Sequence, residues 1–246
     1  QRIEESARRI LAAKYDLGLV AERMTPLDRI DGAVSTPAAV ALANEIAEHA
    51  ITLVRDDAKL LQAGGTLRPE GRVLNLAITN GEDRLTIAQP FVSAMTRGGR
   101  RVETVVLDAR STEAETKKAL ERAANADLVI ASLYGRVRSG QANSASLPEA
   151  GGRVLSELIA RKKPIVAISF GNPYLLQSFP ALGTYVVAYG DMPSLQRAAA
   201  RAVLGQIDVT GKLPITMPGL YPRGTGIQLK ALMKEKSAVS GKDPVR

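Results

Sequence analysis

"EAETKKALERAANADLVIASLYGRVRSGQANSASL" occupies residues 113–147, and its three parts decide how the chain folds. From Glu113 to Asn125 the residues read as a helix, with Leu120 and Ala124 turned inward. Leu128 to Tyr134 then forms a short run that is apolar on both faces, as a strand covered by helices on each side must be. From Tyr134 to Leu147 the chain is long, polar and punctuated by glycine, the character of a functional loop or a disordered one.

The same alternation recurs on both sides. "VLNLAIT" (73–79), "VETVVLD" (102–108), "PIVAISF" (164–170) and "YVVAYG" (185–190) are further Val- and Ile-rich strands bounded by turn residues. Helical segments separate them: one after Pro90, one over Arg153 to Arg161, and one over Ser194 to Leu204. Strands alternating with helices are βαβ units, which assemble into a mostly parallel open sheet between two helical layers. The expected fold is therefore a three-layer α/β/α sandwich. "KLPIT" (212–216) supplies an edge strand at its C-terminal end, where Pro214 costs no ladder hydrogen bond. Short strands are also expected in "ITLVRDD" (51–57) and at Leu60-Leu61, ahead of Gly64-Gly65 and a turn near Pro69.

Upstream, Ile3, Ala7, Ile10 and Leu11 mark one face of a helix that Gly18 stops, and a Pro-containing stretch leads on to Pro26. An apolar stripe starting at the first residues suggests a linking helix and connector over residues 1–35 that belong to a larger protein. Ser35-Thr36-Pro37 opens a second helix carrying Leu42, Ile46 and Ala50. His49, the single histidine, falls on that apolar side and reads as a packed structural residue. The main domain is assigned to residues 36–229. The lysine-rich 230–246, with little apolar patterning, is expected to be a flexible tail.

Composition excludes several function classes. The formal charge of +8 is dispersed, with no interleaved aromatic residues, and this favours a solvated surface over nucleic-acid binding. No apolar stretch reaches the roughly 18 residues of a membrane span. With no cysteine and one histidine, no conventional metal cluster is expected, and the compartment stays open. There is no dinucleotide fingerprint, phosphate-cradling loop or Gly-x-Ser-x-Gly turn, so no cofactor is expected.

In open α/β sheets ligands meet the loops at the carboxyl ends of the strands. Those loops are 79–83, 134–147, 171–174 and 190–193. Asp191 is placed either to face a ligand or to cap the following helix, and the cap is favoured. Asn172, in Gly-Asn-Pro, is either a ligand-orienting amide or a turn that fixes the strand exit, and the turn leads.

"AISFGNPYLLQSFP", "TYVVAYGDMPSLQRAAARAVLG" and "DVTGKLPITMP", with the earlier "ARRILAAKYDLGL" and "AITLVRDD", resemble the carboxyl-terminal domain of family 3 glycoside hydrolases and the linking helix that leaves their catalytic barrel. The likeness runs in the right order from Arg2 to Leu229. It implies a retaining glycosidase whose nucleophilic Asp lies on an upstream (β/α)₈ barrel, the expected partner, with a β-linked sugar bound at the interface. In β-glucosidase-like members the acid/base is a Glu on the loop corresponding to the segment after Tyr134. Here that loop holds Arg136, Arg138, Gln141 and Asn143 but no carboxylate, and Glu149 just beyond is the one substitute. In β-N-acetylglucosaminidase-like members a barrel His with an Asp transfers the proton, which fits the acid-free loop. The resemblance thus implies a non-catalytic domain in an exo-acting β-N-acetylglucosaminidase, with Arg136, Arg138, Asn172 and Asp191 as candidate sugar contacts. A freestanding carbohydrate-binding or interaction module is the alternative.

Overall fold

A computed structural model of the chain describes residues 1–61, 71–137, 139–140 and 144–232. The expected turns at Gly64-Gly65 and near Pro69, the side chains of Arg138, Gln141 and Asn143, and all of the tail beyond Leu232 lie outside the described residues. The chain divides into two units, Gln1–Ala43 and Asn44–Arg246.

In the first unit, helix α1 (Arg2–Asp16) ends where Gly18 takes φ of +73°, and the backbone N–H of Leu19 closes on the Lys14 carbonyl at 3.0 Å. No residue of α1 is buried, and Ile3, Leu11 and Tyr15 stand open. A 3₁₀ turn (Leu27–Arg29) and α2 (Ile30–Ala33) lead to α3 (Pro37–Ala50). Thr36 caps α3 by accepting the Ala39 N–H at 3.2 Å, and Pro37 stands at the first helical position.

The second unit is built on six strands: β1 (Thr52–Asp56), β2 (Val73–Thr79), β3 (Glu103–Leu107), β4 (Leu128–Tyr134), β5 (Ile165–Ser169) and β6 (Thr184–Val187). Their order is β1-β6-β5-β4-β2-β3, with every pair parallel except β1, which runs antiparallel to β6. Side chains alternate across the sheet, so β2 sends Val73 and Ala77 to one core and Leu74, Leu76 and Ile78 to the other. The first core is covered by α4 (Gln89–Arg97) and α8 (Pro193–Val203), the second by α5 (Glu113–Asn125), α6 (Glu149–Ala160) and α7 (Leu175–Ser178). This is the expected three-layer sandwich, and two buried faces explain why the central strands β2, β4 and β5 are mostly apolar.

Several local expectations are corrected. α5 turns Ala119, Leu120 and Ala123 inward, while Ala124 is exposed, a rotation of about one residue. α6 begins at Glu149, four residues before the expected start, because Pro148 fixes the extended backbone that precedes it. Leu60 and Leu61 form bends that pack on the core and no strand. His49 is exposed in the last turn of α3, as is Ile46, because it is Ala47 that faces the core.

The C-terminal edge is met in position, with a different pairing. The free edge of β1 is lined by the closing segment through the bridge of Leu53 to Ile227 and the Gly211 N–H donating to the Ile51 carbonyl at 3.2 Å, while Val209 and Leu229 bridge each other within that segment. Leu213 itself pairs with the returning strap, its N–H donating to the Thr225 carbonyl at 2.8 Å, so Leu213–Thr216 adds no regular seventh strand. Pro214 and the Pro218-Gly219 turn break the register that a ladder would need.

Candidate functional site at the carboxyl ends of the strands

The parallel strands bring the loops after β2, β4, β5 and β6 to one end of the sheet. The loop after β4 is anchored at its base. Asn80, directly after β2, donates from Nδ2 to the carbonyls of Arg136 (2.8 Å) and Ser144 (2.5 Å), and its Oδ1 accepts the Arg136 N–H at 3.1 Å. From the other side Asn172 donates to the Ala145 carbonyl at 2.9 Å. Its Oδ1 accepts the Tyr174 N–H at 3.0 Å, and its own N–H reaches the Gly135 carbonyl at 2.9 Å. Asn172 thus does the work of a turn residue, and it also fastens the returning limb of the neighbouring loop.

Arg136 crosses the end of the sheet. Its Nη1 and Nη2 form a fork on Asp83 at 3.1 and 2.6 Å, and its Nε reaches Asp191 at 2.5 Å. Each of the three side chains is about one-third exposed. The hydrogen bonds to Asp83, which outweigh the opposing effect of partial burial and are reinforced by the charge of Asp191, raise the Arg136 pKa above its ordinary value. One guanidinium therefore joins loops from β2, β4 and β6. Asp191 does not cap α8; that position belongs to Met192, which offers no side-chain cap. Its backbone is held instead by Gln196 Nε2, which donates to the Asp191 carbonyl at 2.7 Å.

Gln196 links this end to the core. Its buried Oε1 accepts from the Tyr134 hydroxyl at 3.2 Å and from the Phe91 N–H at 3.3 Å. Tyr134 stacks on Phe170 with centroids 4.8 Å apart, and burial pushes its phenol pKa up, so it stays a neutral donor. On the other flank Arg84 pairs with Asp108 at 3.2 Å and with Glu115. Adjacent residues 83 and 84 therefore tie the β2 loop in opposite directions, towards β4 and β6 and towards β3. Leu85, Val137 and Met192 stand exposed on these loops.

Of the residues expected from sequence, Arg136, Asn172 and Asp191 are brought together here. Glu149 is exposed on the first turn of α6, where a carboxylate suits the helix N-terminus. Sequence reasoning missed Asp83, although it bounds a loop already singled out. It also missed Tyr189, which holds φ of +65° after β6 while its hydroxyl meets Thr52 Oγ1 at 2.9 Å. Among the described residues no group of three or more His, Cys, Asp or Glu could hold a metal ion.

The fold is thus a doubly wound sandwich with a braced strand-end face, and the loop after β4 carries no acidic residue between Tyr134 and Leu147. The chain matches the glycosyl hydrolase family 3 C-terminal domain over residues 5–238 and belongs to that family. A beta-N-acetylglucosaminidase/beta-glucosidase of Cellulomonas fimi is 28% identical over 225 residues, covering 87% of this chain and 39% of that protein. The family 3 beta-N-acetylglucosaminidase of Paenibacillus sp. str. FPU-7 shares the fold with a TM-score of 0.68 at 23% identity, over 88% of this chain and 39% of that one. The beta-glucoside phosphorylase BglX bound to 2FGlc superposes with a TM-score of 0.66 at 27% identity, over 88% of this chain and 38% of that one. The chain thus spans about two-fifths of the length of these relatives. No helix among the described residues is long and apolar enough to cross a membrane.

Proposed function

We propose that the chain is the non-catalytic C-terminal domain of a retaining, exo-acting glycosidase whose full-length form removes terminal β-linked N-acetylglucosamine. The observation that carries this reading is the state of the carboxylates at the strand ends. The loop after β4 has none between Tyr134 and Leu147, and the two within reach of its base, Asp83 and Asp191, are engaged with Arg136. A general acid must reach the glycosidic oxygen, and both of these carboxylates are instead taken up as struts by the Arg136 guanidinium. Both catalytic groups then belong to the upstream barrel, and this domain contributes one wall of the sugar site.

The wall is preorganised: Asn80, Arg136 and Asn172 fix the base of the long loop before any sugar arrives. Arg136 and Asn172 act as struts, Asp191 presents its remaining oxygen lone pairs, and Arg138 stays a proposed contact by its place on the loop. The names of the Cellulomonas and Paenibacillus proteins support the N-acetyl sugar, and the former's also includes glucosides.

The test is cleavage of aryl β-N-acetylglucosaminide and aryl β-glucoside, with and without phosphate, by this chain and by the full-length protein. The expected outcome is an inactive chain and a full-length enzyme that prefers the N-acetyl sugar. Glu149→Gln in the full-length enzyme should leave kcat within about twofold; a fall of roughly 10²-fold or more, the usual contribution of a general acid, would make Glu149 the proton donor. Sugar affinity in the isolated chain, with no activity added by the upstream region, would favour a freestanding binding module instead.

A further inference from the structure

At the opposite end of the sheet from the braced loops, α4 and α8 finish side by side. Crossover helices run antiparallel to the strands they follow, so both C-termini lie at the amino ends of the strands. A groove of about 350 Å³ opens there, lined by Arg97 of α4, Arg197 and Arg201 of α8, Gln206 after α8, and the small residues Ala94 and Gly98. Its volume falls within the roughly 300–1,000 Å³ of small-molecule sites. Three guanidinium groups line it, and among the described residues no carboxylate does. Arg201 is paired with Glu48 at the margin, and among the described residues Arg197 bonds the neutral Asn44 Oδ1 alone, at 3.1 Å. Among the side chains, the balance is two positive charges with no carboxylate partner, which exceeds the roughly half negative charge at each of the two helix ends.

Basic residues at helix C-termini often serve the terminal carbonyls. Here backbone donors already do so. On α4 the carbonyls of Ala94, Met95 and Thr96 accept from Gly98, Arg100 and Gly99; on α8 those of Ala200, Arg201 and Ala202 accept from Leu204, Gln206 and Gly205. The guanidinium of Arg97 and the side-chain amide of Gln206 make no hydrogen bond to any described residue. These donors are therefore not taken up by their own helix ends. Gly98 lets the side chains of Leu204 and Gln206 close against the end of α4, since a Cβ there would clash with Leu204 Cδ1 and come within 3.0 Å of Gln206 Nε2.

We propose that this groove is a binding site for a phosphate group. Two spare positive charges match a phosphate, which carries about −1.5 to −2 at neutral pH, better than a single carboxylate. The planar forks of Arg97 and Arg197, one from each helix, suit its tetrahedral oxygens. The group comes either as free inorganic phosphate or on a phosphorylated saccharide, and the groove has room for more than the anion alone.

The site stands independently of the glycosidase reading and is tested on this chain without any activity assay. Calorimetric titration at fixed ionic strength compares inorganic phosphate, N-acetylglucosamine 6-phosphate and neutral N-acetylglucosamine. Saturable one-to-one binding of phosphate is expected, weakened at least tenfold in Arg97→Ala and further in Arg97→Ala with Arg197→Ala. Both positions are on the surface, and should the double variant fail to fold, the single one decides. Sugar phosphate binding tenfold or more above inorganic phosphate assigns the saccharide as source, and equal affinities assign free phosphate. Absence of phosphate binding, equal binding by the variants, or equally tight binding of the neutral sugar overturns the proposal.

Discussion

At the scale of single residues, Arg136 shows how a side chain can be singled out from sequence while its partners stay hidden. An arginine on a polar loop near a strand end satisfies the usual signature of a ligand contact. Its actual partners, Asp83 and Asp191, lie 53 and 55 positions away, a juxtaposition that only the sheet order creates. Removing the guanidinium leaves two carboxylates facing each other, so Arg136→Met should cost roughly 2 kcal/mol of stability, reduced from a buried pair's value by solvent at these part-exposed groups. Arg136→Lys keeps the charge but loses the fork and should recover no more than about half, as chemical denaturation would read. Gly81→Ala tests the same clamp by another route. Its Cβ would lie 2.4 Å from Arg136 Nη1 and 2.6 Å from Asp83 Oδ1, so the clamp must open, and a comparable loss is expected. Asp108, buried at the end of β3, adds a pH dependence. Burial alone would raise its pKa, but hydrogen bonds from the Arg110 side chain and backbone, with the charges of Arg84 and Arg110, outweigh this and leave it lowered. A carboxyl whose folded pKa is depressed stabilises the fold above its unfolded pKa near 3.8 and loses that contribution as pH falls through the folded value. Denaturation titrations should therefore show Asp108→Asn less stable than the parent at pH 6, with the gap narrowing below about pH 4.

At the scale of elements, the strands were the most legible part of the sequence because parallel strands buried on both faces need apolar residues at every position. Ala124 was harder to place, since alanine at a helix surface carries almost no hydrophobic signal and α5 rotates to bury Ala119 and Ala123. The closing segment was legible as an edge and illegible as a pairing pattern. Gly211, Pro214 and Gly226 report where the backbone must turn or approach closely, but not which atoms they approach. In the fold Gly226 passes so near Gly211 that a Cβ would come within 2.3 Å of the Gly211 carbonyl oxygen, and a Cβ on Gly211 would meet the Ile51 carbonyl at 2.5 Å. The strap is pinned further along by Arg55, whose Nε donates to the Tyr221 hydroxyl at 2.7 Å while its guanidinium lies over the same ring. An uncovered β1 would offer unpaired backbone groups to another chain, so the strap also guards against edge-to-edge association. Tyr221→Phe removes an acceptor from a largely buried charge and should cost roughly 1.5 kcal/mol. Gly226→Ala should cost more and, by loosening the strap from β1, increase concentration-dependent light scattering; unchanged stability in Gly226→Ala would mean that the strap contributes nothing to holding the edge.

At the scale of the whole molecule, the two units differ in kind. Residues 44–232 bury two cores around a six-stranded sheet, with Leu76, Ile78, Ile130 and Leu133 fully inaccessible. Residues 1–43 bury none, although Ile3, Ile10, Leu11 and Tyr15 repeat at helical spacing. The apolar stripe of α1 is as regular as the apolar runs of the strands, but among the described residues only the strands bury theirs. An isolated helix of this length is marginal in water, because nucleation is costly and propagation yields little per residue. Its protection from solvent must then come from apolar contact, which the proposed upstream barrel would supply. Hydrogen exchange separates the two situations. In this chain alone the amides of α1 should exchange almost as fast as an unstructured peptide, while those of β2 and β4 should exchange only through global unfolding. In the full-length protein α1 should gain at least a hundredfold in protection without change in β2. Equal protection of α1 in both would show that the helix covers its apolar stripe within the chain itself, and the assignment of residues 1–35 as a connector to a catalytic partner would fall with it.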